Sequence, residues 1–225
     1  MAKQKNATVR PRTKGDITRE RIRAAVIRLV SRHGLNAVTL QSICAEADIT
    51  HGGFYFHFTC KEDAMIDVAT EWIASFKTKV LEAPEYDDFY AEIHYMILTY
   101  VRGYIRNIEV TRLVYSLDPA YPEVRATFSR YQRRWWARLE TLFERTRKAR
   151  RLPTGMEPWI AHAMTSALEG VCVDTFLMRQ QELVALGASP EEVAERVAVI
   201  WHRAVTGADP EARKLGVSRA GAAAK

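Results

Sequence analysis

Between Thr39 and Lys61 the chain gathers hydroxyl, imidazole, phenol and ammonium groups around two adjacent glycines: Thr39, Thr50, His51, Gly52, Gly53, Tyr55, Phe56, His57 and Lys61. Such groups donate and accept hydrogen bonds and stack, the chemistry of contact with phosphates and base edges. Two residues without Cβ atoms would let backbone approach such a surface closely, with N–H groups that favour an anion. Each glycine costs roughly 1 kcal/mol against alanine inside a helix, so something outside the helix must offset them. A plain loop, with Thr50 capping nothing, is the alternative.

Two short helices and a tight turn would hold these groups in place. Thr39 can cap the first, whose inward face is Leu40, Ile43, Cys44 and Ala47, and Asp48 breaks the pattern. Ile49 packs inward and Thr50 can cap the second, where Phe54 and Phe58 share one face and leave His51, Gly53, Tyr55, Phe56 and His57 on others. This is the layout of a helix-turn-helix that lays its second helix in a DNA major groove. Thr59-Cys60-Lys61-Glu62 reads as a capping box opening a long helix, with Lys61 in its first turn, poorly placed for the helix dipole and well placed for a phosphate.

Charge is distributed accordingly. Residues 1 to 61 hold 11 Lys/Arg against 4 Asp/Glu, whereas the remainder holds 22 against 23. Part of the excess lies in a leader over residues 1–16, with Lys3, Lys5, Arg10, Arg12 and Lys14, which has little to pack and is expected to be disordered. It is either a solvated tail or an arm for a minor groove. Cys44, Cys60 and Cys172 are odd in number and scattered, which fits a reducing compartment and argues against a zinc site or a disulfide framework. No signal-peptide pattern and no apolar run of membrane-spanning length is present, so a soluble, cytoplasmic protein without membrane contact is expected.

Helical periodicity continues to residue 206, predicting an all-α protein. Helices are expected at 18–33, 61–82, 86–107, 121–151, 157–186 and 190–206, with a short one ending near 118 and a mobile tail from 207. At residues 131–151, Trp135, Leu139, Leu142 and Phe143 form an inward face, leaving Arg133, Arg134, Arg138, Arg145 and Arg147 as a solvated outer face.

The motif T-L-x-x-I-x-x-x-A-x-I-T-x-G-x-F-Y-x-H-F-x-x-K-E, a helix before it and an all-helical body after it, resembles the tetracycline-repressor-like (TetR) family of bacterial transcriptional regulators. The match spans about residues 17 to 65 and departs from the common pattern at His51 and at Thr59-Cys60-Lys61-Glu62. The resemblance implies a homodimer that binds double-stranded DNA at a palindromic operator, usually as a repressor, and releases it when a small molecule enters the body. It implies DNA contacts from Thr39 and Gln41 in the first helix of the motif and from Thr50, His51, Gly52, Gly53, Tyr55, Phe56, His57 and Lys61 in the second and its exit. It divides the chain into a leader at 1–16, a DNA-binding domain at 17–61, an effector-binding and dimerisation body at 62–206 and a tail at 207–225.

Within the body, residues 86 to 107 are apolar over much of the helix circumference: Phe89, Ile93, Met96, Tyr100 and Tyr104 on one stripe, Tyr90, His94, Ile97 and Val101 on the next. Buried tyrosine hydroxyls and a histidine need partners, supplied by an apolar or aromatic effector or by an ordinary core. Trp136, Trp159, His162, Met164 and Leu168 would form the opposing wall. Ala167, Leu168, Val171, Thr175, Val197 and Trp201 on the last two long helices are the candidates for the dimer contact, with intrachain core as the competing account. The chain carries no phosphate loop, no H-E-x-x-H and no nucleophile elbow, so no enzyme, metal site or cofactor is expected. Glu169, in a largely apolar helix, is a candidate base or one half of a buried pair. A regulator without an effector, controlled by protein partners, is the remaining reading.

Overall fold

Thr13 starts the first helix. Its hydroxyl accepts from the Asp16 N–H at 3.1 Å while the Asp16 carboxylate accepts from the Thr13 N–H at 2.8 Å, a reciprocal capping box. Helix α1 therefore runs Lys14–His33 and opens within the segment read as leader. The structure, a computed structural model, describes residues 13–82, 84, 86–117, 119–185 and 189–211. The rest of the leader, with Lys3, Lys5, Arg10 and Arg12, and the tail after residue 211 lie outside the described residues.

After α1 come α2 (Leu40–Ala47), α3 (His51–Tyr55), α4 (Lys61–Leu81), α5 (Phe89–Arg106), α6 (Ile108–Leu117), α7 (Pro122–Ala149), α8 (Glu157–Cys172), α9 (Gln181–Ala185) and α10 (Pro190–Thr206). The protein is all-α, as its periodicity predicts. Among the described residues no helix is long and apolar enough to cross a membrane. Three local expectations change. Thr59 opens α4 by donating from its backbone N–H and its hydroxyl to Asp63, rather than through Glu62. The helix expected at 157–186 is interrupted: Val173–Leu177 is a π-helical turn, closed by the Met178 N–H on the Val173 carbonyl, and Arg179 at φ 54° ends it. Residues 207–211 are held rather than free, for the Ala208 carbonyl meets His202 Nδ1 at 2.8 Å and Pro210 is buried.

Two apolar clusters organise the packing. The first joins Ile22, Val26 and Val30 of α1, Ile43 of α2, Phe54 and Phe58 of the motif, and Met65, Val68 and Ile73 of α4 to Val110, Leu113, Val114 and Leu117 of α6. The second is the body core, where Ile93, Met96, Ile97 and Val101 of α5 pack with Leu139 and Phe143 of α7, Leu168 of α8 and Val197 and Trp201 of α10. Trp72 of α4 touches both. One continuous helix thus begins in the first cluster and ends in the second, and α6, which belongs to the body by sequence, packs on the helix-turn-helix.

Ion pairs clamp α1 to its neighbours. Asp67 on α4 accepts from Arg19 Nη2 and from Arg23 Nε, both at 2.5 Å. Glu46 on α2 holds Arg28 at 2.5 Å and Arg32 at 3.1 Å, and Asp48, the left-handed cap of α2, holds Arg21 at 3.0 Å. Burial alone would raise the pKa of Asp67, but hydrogen bonds from Arg23 and Arg19 outweigh it and hold the carboxyl below 3.8. A carboxyl depressed in the folded state stabilises the fold above its unfolded value, and that contribution disappears as pH falls through the folded value. Asp67→Asn is therefore expected to cost about 1 kcal/mol at pH 7 and almost nothing at the acid end. Thermal denaturation at pH 7 and near pH 3 checks this; an equal loss at both would mean that packing, not charge, is what Asp67 contributes.

On α7, Trp135, Leu139, Leu142 and Phe143 face inward as the spacing predicts, and Arg133 and Arg134 are exposed. Arg138 and Arg147 are not a solvated face. Arg138 donates to the Leu81 carbonyl and lies 3.6 Å from Glu92, while Arg147 donates to the carbonyls of Pro153 and Val205 and lies 3.4 Å from Glu157. A long aliphatic stem with a forked head lets arginine cap chain ends that leucine could not reach.

Candidate nucleic-acid interface and ligand cavity

The Thr50 hydroxyl accepts from the Gly53 N–H at 3.1 Å, so α3 is capped as expected and Gly-Gly lies inside the helix rather than in a loop. Phe54 and Phe58 lie beneath, their ring centroids 5.7 Å apart. They fix which groups stay outside. Thr39, Gln41, Thr50, His51 and Gly52 are exposed, Gly53 and His57 half-exposed, and Tyr55 and Phe56 are 56% and 82% exposed. An aromatic ring so far out of the core makes no contribution to folding that would explain it. His57 holds Phe56 edge to face at 5.1 Å.

Neither glycine is required by the chain itself. Both have helical backbone without positive φ. A Cβ at Gly52 would meet only the Thr50 hydroxyl at 3.9 Å, and one at Gly53 would find Thr50 at 3.5 Å and Ile49 at 3.7 Å, ordinary contacts. The missing methyl groups therefore leave room for something that is not part of this chain.

Lys61, an expected phosphate contact, has a partner within the chain. Its ammonium donates to the Val38 carbonyl at 2.8 Å, tying the start of α4 to the segment before α2. The basic residues of α1 are likewise occupied by Asp67, Glu46 and Asp48. Much of the charge excess among the described residues of this segment is thus paired within the chain.

In the body, Tyr100 and Tyr104 line a narrow cavity of about 10 Å³ with Trp72 and Phe76 of α4, Thr111, Val114 and Tyr115 of α6, Phe128 of α7 and Glu169 of α8. Glu169 accepts from the Tyr100 hydroxyl at 2.6 Å and from the Tyr115 hydroxyl. Burial, then the charge of Glu169, pushes both phenols up, so they remain donors. The Tyr104 hydroxyl lies beside that of Tyr115, and the Trp72 indole N–H is buried without a hydrogen-bond partner. Trp72 stacks on Phe76 at 4.8 Å, and Phe76 meets Tyr100 at 5.2 Å.

The other expected ligand residues do not converge here. Met96 and Leu168 are core. Tyr90 and His94 stack on each other at 5.8 Å along a separate shallow cleft with Tyr86, Tyr95 and Leu98. Trp136 stands edge to face with His162 at 4.8 Å, and Met164 packs partly buried on the body core. Trp159 is 72% exposed on the surface of the body. Sequence reasoning missed Tyr115, Phe128, Thr111 and Val114, because a short helix and the mainly polar start of α7 gave no stripe to read. Glu169 and Trp72 were visible as a carboxylate in an apolar helix and as an inward residue of α4.

Of the dimer candidates, Ala167 is exposed and Val171 half-buried, but Val197, Trp201, Thr175 and Leu168 are taken up inside the chain. Trp201 packs edge to face on Phe143 at 6.2 Å. Its four-residue spacing with Val197 is as compatible with a core stripe as with an interface, and the core took it.

An all-helical chain with an exposed helix-turn-helix and a cavity-bearing helical body has the architecture of helix-turn-helix regulatory proteins. Residues 22–66 match the family described as bacterial regulatory proteins, tetR family. An uncharacterized HTH-type transcriptional regulator of Bacillus subtilis, YerO, is 34% identical over 67 residues, 30% of this chain. That match spans 23% of YerO. A tetR-family regulatory protein from Rhodococcus RHA1 superposes with a TM-score of 0.70 at 23% identity, over 88% of this chain and 100% of that one. The multidrug binding protein EbrR, complexed with ethidium, superposes at 0.56 with 20% identity, over 80% and 96%. Residues 22–66 thus carry the segment that describes the tetR family, and the fold around it is that of the superposed tetR-family structure.

Proposed function

We propose that this regulator is a repressor that binds an inverted-repeat operator as a homodimer and lets go when an apolar or aromatic small molecule enters the body. The observation that carries the reading is where the cavity lies. Trp72 and Phe76, two of its walls, are on α4, whose first turns anchor the helix-turn-helix through Met65, Val68 and Asp67; Val114 and Tyr115 are on α6, which packs on α1. A guest that widens the cavity must move the helices that aim α3. A ligand changes the spacing of two such heads only by as much as it prefers the non-DNA geometry, typically about 1 to 3 kcal/mol. EbrR, which shares the fold, is a ligand-binding protein complexed with ethidium, and this supports a ligand here.

The pairing of two chains rests on a face of small and apolar residues. Ala163, Ala167 and Gly170 of α8 recur along one exposed line, with exposed Trp159 at its start and exposed Ile200 and Ala204 on α10. Helix pairs with small residues approach closely, and a two-fold axis through such a face sets two α3 helices at palindromic half-sites.

Fluorescence anisotropy with a duplex selected from a randomised library tests the proposal. Two chains are expected per inverted repeat, with affinity falling steeply between low and physiological salt and falling again on addition of a body-binding ligand. No preference for an inverted repeat over random DNA would overturn it. Preference with no response to any ligand that binds would leave control by a protein partner.

A further inference from the structure

Two carboxylates of the body are buried and neutralised, and a third, the half-buried Glu169, is not. Glu92, 2% exposed, lies 2.9 Å from Arg145 and 3.6 Å from Arg138. Glu157, 5% exposed, lies 3.4 Å from Arg147. Glu169 is the exception: its two oxygens meet only the hydroxyls of Tyr100 and Tyr115, and no cation of the described residues pairs with it. Two neutral donors orient a carboxylate without cancelling its charge, and an uncompensated charge in such surroundings is costly.

Most of the lining around that charge is aromatic. Trp72, Phe76, Tyr100, Tyr104, Tyr115 and Phe128 share the cavity with it, and ring faces carry the negative end of their quadrupoles. A carboxylate among aromatic rings is complementary to a positive charge whose surroundings are greasy, and poorly suited to an anion. A second observation points inward too. The Trp72 indole N–H, on a wall of the cavity, is buried without a hydrogen-bond partner. Polar atoms buried without partners are retained where something else is meant to meet them.

Resting on the proposal that this cavity is the effector site, we infer that its ligand class is the lipophilic organic cation, a quaternary ammonium, phosphonium or cationic aromatic, with its positive charge against Glu169. The empty cavity has room for about one water. A cation of that size class enters by spreading the ring stack, and the rings that give way include Trp72 and Phe76 on α4. Charge supplies the affinity, while the bulk of the organic group supplies the displacement.

Titration of the full-length protein by tryptophan fluorescence, with benzyltrimethylammonium, tetraphenylphosphonium and the uncharged neopentylbenzene, tests the inference. Both cations are expected to bind, the ammonium better than its neutral carbon counterpart by roughly tenfold or more. Glu169→Gln should abolish that preference and leave neopentylbenzene unchanged, while Glu169→Asp, which keeps the charge, should restore it. Glu169→Gln should also melt no lower than the parent, since it removes an unneutralised charge, so loss of cation binding would not be loss of fold. Binding of neopentylbenzene at least as tight as that of the ammonium, or indifference of cation binding to Glu169→Gln, would overturn the cationic class and leave the cavity as an effector site. No response to any of the three probes would overturn both.

Discussion

Alanine at both Gly52 and Gly53 is expected to raise the melting temperature of this protein and to lower its operator affinity by about a hundredfold. The two effects come from different sides of the same backbone. Glycine inside a helix gives up more conformational freedom on folding than alanine does, so each replacement should stabilise by about 0.5 to 1 kcal/mol where the native φ and ψ suit alanine. They do suit it here, since neither glycine has positive φ and a Cβ at either meets nothing closer than 3.5 Å. The added methyl groups project instead from the exposed first turn of α3, beside His51 and the Thr50 cap. There they hold the helix off a phosphate or base edge, and losing one such contact costs about 1 to 3 kcal/mol, or roughly 5- to 150-fold. Differential scanning fluorimetry and anisotropy on the selected duplex measure the two arms. Stabilisation with unchanged DNA affinity would remove α3 from the interface, whereas destabilisation would mean an internal need for glycine that the packing does not reveal.

The helix-turn-helix was legible in the sequence because its determinants are local. Thr39, Asp48 and Thr50 mark helix ends by hydrogen-bonding their own backbone, and Phe54 and Phe58 reveal the buried face by their four-residue spacing. The cavity was legible only in part. Tyr100 and Tyr104 announced themselves by type and stripe, but Tyr115, Phe128 and Trp72 reach the same space from three other helices, and no periodicity within one helix encodes that convergence. Lys61 shows the opposite limit. A lysine in the first turn of a helix is unfavourable for the dipole, and the sequence supplies no sign of the Val38 carbonyl to which it donates. For Val197 and Trp201 the difficulty was that an apolar stripe has the same pattern whether its neighbour is α5 of the same chain or a second copy.

Gly103→Ala is expected to lower operator affinity about tenfold or more from a position that touches no DNA. Gly103 lies on α5 where the Phe76 ring of α4 presses against it: a Cβ there would fall 2.6 Å from Phe76 Cδ2 and closer still to Cε2. No rotation of the alanine relieves such an overlap, so the ring must retreat, and Phe76 is stacked on Trp72 and tilted on Tyr100. The substitution therefore wedges α4 away from the body at the place where a guest in the cavity would. Overpacking of this kind costs about 1 to 3 kcal/mol of stability, so a lower melting temperature is expected as well and does not distinguish a lever from a damaged core. The double substitution Gly103→Ala with Phe76→Leu does. If α4 transmits the wedge, removing the ring should recover operator affinity beyond the sum of the single effects, a coupling typical of residues in direct contact. Ligand affinity should move the opposite way, because a protein already biased toward the non-DNA geometry binds its effector more tightly by the same linkage. A lowered melting temperature with operator affinity unchanged in Gly103→Ala would show that α4 is a strut between the two apolar clusters and not the element that carries a signal between them.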